Sequence, residues 1–189
     1  MKDKIVFLFC GVESTGKTTT VKNMFEYLKS IGVKVEIVSE VGRDISEFSG
    51  GVESMTQLDY EEILFKHQAN FITALTKPET EIVLLDTDSI YTRYYLEKDK
   101  KLYNSNKGLS KSLVEISEKI VKINLLNKRI DCVFYLNSDC EFVQDGTRTY
   151  QSTRQSDNVV LLKLYKKAYA NKTKLKIISG NEWQKRNNT

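Results

Sequence analysis

Lys17 and Thr18 close the stretch Gly11-Val12-Glu13-Ser14-Thr15-Gly16-Lys17-Thr18. It fits the phosphate-binding pattern G-x-x-x-x-G-K-[ST] at every fixed position. Glycines without a Cβ let backbone N–H groups curl around a phosphate, and a helix N-terminus behind them adds orphan donors and partial positive charge. A lysine in this place reaches β- and γ-phosphates, and a threonine hydroxyl ligates Mg²⁺. Gly11, Glu13, Ser14, Thr15, Gly16, Lys17, Thr18 and Thr19 are therefore the expected ATP contacts.

Four other stretches carry groups that could act on a nucleotide. Ser39-Glu40-Val41-Gly42-Arg43-Asp44 places an acid and an arginine beside a glycine after an apolar run, where a second substrate would meet a sheet. Glu81-Ile82-Val83-Leu84-Leu85-Asp86-Thr87-Asp88 is an apolar run ending in acids. Asp86 is expected to approach the metal held by Thr18, and Asp88 to hold a substrate hydroxyl. Arg148 and Arg154 sit in a glycine-, serine- and threonine-rich stretch expected to be a lid of about residues 140–157. Arginines brought onto a transferring phosphoryl group stabilise its spread charge, and closure excludes water. Tyr91, Tyr94 and Tyr95 read either as partners for an aromatic ring or as helix packing. His67 lies on an apolar helix face and reads as a hydrogen-bonded core residue.

Elements must bring these groups together. Ile5–Cys10 is a buried strand before the glycine loop, and Val21, Met24, Phe25, Leu28 and Ile31 mark a helix after it. Val33–Val38, Ile82–Leu85, Cys132–Leu136 and Leu175–Ile178 read as further strands. Helices are expected over about 58–76, 109–127 and 158–170, with a mobile connection over 45–57 and a flexible charged segment over 97–108. Strands alternate with helices without repeat or linker. The expected fold is a three-layer α/β domain with a parallel five-stranded sheet, over residues 1–180, followed by a polar tail, 181–189.

The composition is compatible with one soluble domain of 189 residues. Residues 1–145 carry 19 basic and 23 acidic side chains, whereas 146–189 carry 10 basic and 2 acidic. That basic quarter suits polyanionic ligands or is a solvated face. The three cysteines follow no metal or disulfide spacing. With no apolar run of spanning length and no signal peptide, a cytoplasmic protein without a membrane partner is expected.

Together, the glycine loop, Glu40-Val-Gly-Arg-Asp44, Tyr60 through His67-Gln68-Ala69, Leu85-Asp-Thr-Asp88 and Asp145-Gly-Thr-Arg148 resemble, in order, the kinase domain of NadR-type proteins. The likeness spans roughly residues 4–170. It implies a P-loop kinase that uses ATP and Mg²⁺ to phosphorylate nicotinamide riboside, giving nicotinamide mononucleotide. It further implies Lys17 and the loop amides on ATP, and Thr18 with Asp86 on the metal. Glu40 or Asp88 would lie on the riboside hydroxyls, one of them as the base. Arg43 would help place substrate or phosphate, and Arg148 and Arg154 would act from the lid. The chain departs from the family's pattern at Val12, where proline is usual, and at Val41, where tyrosine is frequent.

Two other readings stay open. A deoxynucleoside or nucleoside monophosphate kinase has the same scaffold, and a monophosphate acceptor needs another arginine, such as Arg93. An ATP-switched regulator or nucleic-acid-binding protein would use the basic quarter, although no nucleic-acid module is recognisable and nucleic acid is not the expected partner. A homo-oligomer is left open, with residues 97–108 as an interface.

Overall fold

The structure is a computed structural model and describes residues 4–140, Phe142 and 151–179. Five strands form one sheet: β1 (Ile5–Cys10), β2 (Val35–Val38), β3 (Ile82–Asp86), β4 (Cys132–Leu136) and β5 (Lys174–Ile178). Their order is β2-β3-β1-β4-β5, and every ladder is parallel. β1 is central, with Leu8 opposite Leu85 on one side and Val133 on the other. The carboxyl ends of β1, β2 and β3 therefore open on one edge, which is where the glycine loop, Glu40 and Asp86 emerge.

Side chains alternate across the sheet with period two, so each strand feeds two cores. Phe9, Leu84 and Leu136 pack with Val21 of α1 (Lys17–Ser30) on one face. Val6, Leu8, Val83, Leu85, Val133 and Tyr135 pack on the other. There they meet α3 (Gln57–Thr76), α4 (Ser89–Lys98), α6 (Lys107–Leu126) and α7 (Arg154–Tyr169). These two cores make the three layers expected from the sequence. No helix among the described residues is long and apolar enough to cross a membrane.

Two segments read as connections are helical instead. The chain after Glu40 forms α2 (Val41–Phe48), burying Val41 and Ile45, then a 3₁₀ turn at Val52–Ser54. Its apolar signal is only that one i, i+4 pair, because Phe48 is 95% exposed. The charged segment 97–108 holds the end of α4, α5 (Lys100–Ser105) and the start of α6. Its helices begin at side-chain caps: Asp99 accepts from the Leu102 N–H at 2.9 Å, and Asn106 from the Leu109 N–H at 3.1 Å. Such caps satisfy donors that a helix start otherwise leaves open. α7 starts at Arg154, four residues before the expected Asn158.

Candidate active site

The glycine loop links β1 to α1 through backbone shapes the sequence permits. Gly11 has φ 145°, and a Cβ there would lie 2.4 Å from the Leu136 carbonyl oxygen. Gly16 has φ 79° with open space around it, so conformation alone demands glycine there. Ser14 adopts φ 57°, a left-handed value that side chains other than glycine rarely take. The Thr15 hydroxyl donates to the Val12 carbonyl at 2.9 Å.

Lys17 is buried, and its ammonium donates to the Val12 carbonyl at 2.9 Å while lying 5.0 Å from the Tyr91 ring centre. Thr18 donates its hydroxyl to Asp86 Oδ2 at 2.6 Å. The other carboxylate oxygen, Asp86 Oδ1, is buried and without a hydrogen-bond partner. A hydroxyl and a carboxylate with an unused buried oxygen are the hard donors that Mg²⁺ takes, its remaining positions going to phosphates and water. The pair fits that ion.

Beyond the loop a cavity of about 310 Å³ opens between the start of α1, α2, α3 and α4. Glu13, Ser14, Thr15, Gly16, Lys17 and Thr18 line one wall, with Thr19 beside them. The opposite wall carries Glu40, Arg43, Met55, Tyr60, Tyr91 and Tyr95. Glu40 sits at the N-terminal boundary of α2, and burial holds its carboxyl above the ordinary range. Lys17 pulls it back most strongly, Asp86 and Glu13 push it further up, and Arg43 opposes them.

His67 of α3 also lines the cavity. Burial lowers its pKa to about 4, against a hydrogen bond with the Asp86 backbone, and its Nε2 is buried without a partner. The sequence suggested a satisfied core histidine; one nitrogen is satisfied and the other is not. Tyr60 entered the sequence reading as the start of the stretch that resembles NadR-type kinases, whereas Met55 fell in the segment read as a connection; the folding of α2 and α3 puts both on the cavity lining.

Two expected site residues, Asp88 and Arg154, lie outside the cavity lining. Asp88 does not line the cavity. It caps α4 by accepting from the Ile90 N–H at 3.0 Å, and it accepts the hydroxyls of Tyr165 at 2.6 Å and Tyr169 at 2.7 Å. With both carboxylate oxygens so engaged, its placement does not match that expected for a substrate-hydroxyl ligand. Arg154 also does not line the cavity; its guanidinium bonds to backbone carbonyls of the glycine loop rather than projecting from a lid. Arg148 and most of the expected lid fall outside the described residues, as does the tail 181–189. Arg93, the arginine that a monophosphate acceptor would need, pairs with Glu97 and Glu118 instead.

A family model described as an AAA domain matches residues 6–186. No curated protein matches the chain. Among solved structures, NadR protein in complex with NR superimposes with a TM-score of 0.67 at 21% identity, covering 93% of this chain and 45% of that one. The chain thus spans under half the length of that NadR structure. Thymidylate kinase from Ehrlichia chaffeensis matches with a TM-score of 0.57 at 17% identity, covering 98% of this chain and 99% of that one. Deoxyadenosine kinase from M. mycoides, with products dCMP and dCDP, matches with a TM-score of 0.60 at 12% identity, covering 98% and 100%. At these identities the likeness establishes a shared P-loop kinase fold.

Proposed function

The chain belongs to the AAA domain family, and from that premise we propose that it is an ATP- and Mg²⁺-dependent kinase acting on a nucleoside. The acceptor we assign is nicotinamide riboside, phosphorylated at its 5′-hydroxyl to nicotinamide mononucleotide. One observation carries the reading: a single cavity has the phosphate loop and Lys17 on one wall and the half-buried Glu40 with three tyrosines on the other.

In this reading the loop amides and Lys17 hold the phosphates of ATP. Lys17 exchanges the Val12 carbonyl for phosphate oxygen. Thr18 and Asp86 would hold Mg²⁺, which neutralises charge across the β- and γ-phosphates. Glu40 accepts the 5′-hydroxyl proton as the oxygen attacks the γ-phosphorus and the bond to ADP breaks. A carboxylate whose pKa is raised by burial is a better proton acceptor once ionised. Asp88, held by two tyrosines, leaves that role to Glu40.

Tyr60, Tyr91 and Tyr95 offer ring faces, and Glu13 and Glu40 offer negative charge. Together they suit an aromatic base that carries positive charge, as the pyridinium of nicotinamide riboside does. Val41 offers no ring there, where tyrosine is frequent in NadR-type proteins. A second reading, a deoxynucleoside kinase, draws support from the full-length match to deoxyadenosine kinase. A monophosphate acceptor is disfavoured, because Arg93 is engaged away from the cavity. No observation favours the regulator.

The test is ADP release from ATP and Mg²⁺ with nicotinamide riboside, deoxynucleosides and nucleoside monophosphates, each alone. Release stimulated by the riboside alone is expected. Stimulation by deoxyadenosine or deoxycytidine instead moves the assignment to the second reading. Slow release indifferent to every acceptor rejects both.

A further inference from the structure

Arg154 opens α7, and its guanidinium reaches back across the molecule to the glycine loop. Its Nε donates to the Glu13 carbonyl at 3.1 Å, and one terminal nitrogen donates to the Ser14 carbonyl at 2.9 Å. The other terminal nitrogen donates to the Cys140 carbonyl at 2.8 Å. Cys140 joins the same knot, since its thiol donates to the Ser14 carbonyl at 3.2 Å and accepts from Arg154 at 3.3 Å. The side chain is buried, and the Phe142 ring centre lies 5.8 Å from the guanidinium carbon.

A trans peptide is planar, so its C=O and N–H point in opposite directions. Tying the Glu13 carbonyl to Arg154 turns the Ser14 N–H away from Arg154. Tying the Ser14 carbonyl does the same for the Thr15 N–H. Ser14 lines the cavity, as does Thr15, so both of these N–H groups belong to the wall that would meet phosphate. Ser14 also holds the left-handed φ of 57°, which persists only where surroundings over-determine it. The fork of Arg154, pre-organised by its planar geometry, supplies that constraint.

From this geometry we propose that Arg154 is a positioning residue for the nucleotide. It fixes the glycine loop from outside so that the Ser14 and Thr15 N–H groups are set for a phosphate before the nucleotide arrives, rather than acting on the transferring phosphoryl group. The proposal rests on the reading that this loop binds ATP.

Binding of a fluorescent ATP analogue would be measured for the wild type, Arg154→Lys and Arg154→Met, with steady-state kinetics and thermal melting alongside. Lysine keeps the charge but lacks the fork. Arg154→Lys should weaken nucleotide binding about tenfold and Arg154→Met further. The KM for ATP should rise in step, while the acceptor KM stays within about twofold. A structural role alone would lower the melting temperature and leave nucleotide affinity unchanged, which overturns the proposal. So does a fall in kcat at unchanged ATP affinity, the signature of an arginine acting on the transition state. If Arg154→Met does not fold, Arg154→Lys decides the matter by the same criteria. A wild type that binds no nucleotide overturns both this proposal and the kinase reading. Variants that match a binding-competent wild type overturn this one alone.

Discussion

At the scale of single residues, Glu40 and His67 make opposite statements about protons. Burial raises the Glu40 pKa, so in the native state it holds its proton to higher pH than in the unfolded chain. Its ionisation therefore costs stability as pH rises through the window between those two values. Glu40→Gln should raise the melting temperature at pH 7 and leave it unchanged below about pH 4, where both residues are neutral. The same substitution should lower kcat by about 100-fold or more and remove the acid limb of the pH–rate profile. Unchanged kcat would take the proton-accepting role from Glu40. His67 is the only histidine in the chain, so its titration is read without overlap. Its ring should titrate at about 4 by NMR. The unfolded ring binds its proton at higher pH, so its contribution is fully present above about pH 6.5 and is lost as pH falls toward 4. A midpoint near 6.5 would show an open, solvated ring.

At the scale of elements, Asp88 is a structural device for α4. It satisfies a helix-start donor and two buried tyrosine hydroxyls from α7. Asp88→Ala would leave those hydroxyls without an acceptor and should cost about 2–5 kcal/mol in chemical denaturation. The acceptor KM should barely move; a large rise in KM with stability intact would restore Asp88 to the substrate. Gly11→Ala should damage the loop more than Gly16→Ala. The first drives a Cβ to 2.4 Å from the Leu136 carbonyl, while the second meets nothing within 4 Å. We expect about 1 kcal/mol for the second and several times that for the first, measured by thermal melting with van 't Hoff analysis.

These same elements show what the sequence discloses. β1, β3, β4 and the glycine loop are legible because a buried parallel strand is a run of apolar residues and the loop has fixed spacing. α2 is not legible, since eight residues with one buried i, i+4 pair look like a loop until α3 covers them. Residues 97–108 look flexible because their helices are short and charged, and only their Asp99 and Asn106 caps hint otherwise. Thr18 and Asp86 are legible as a pair because the two motifs that carry them are known to converge. For Asp88 and Arg154 the sequence shows the charge but not the partners. Tyr165, Tyr169 and the Ser14 carbonyl are distant in the chain and adjacent only when folded.

At the scale of the whole molecule, the strand order is what makes the cavity. With β3 between β1 and β2, parallel pairing brings Thr18, Asp86 and Glu40 to one edge of the sheet from positions 68 residues apart at the widest of the hydrogen-bonded pair. The phosphate loop and the acceptor wall then face a common space, as in-line transfer requires. Lys17→Ala should therefore lower turnover by about a thousandfold while the melting temperature stays near that of the wild type. The measurement that tests the account most directly is the mass of nicotinamide riboside after incubation with ATP, Mg²⁺ and the protein. The account predicts conversion to the 5′-monophosphate by the wild type and none by Lys17→Ala. Unaltered riboside beside steady ADP release, or equal conversion by Lys17→Ala, would contradict it.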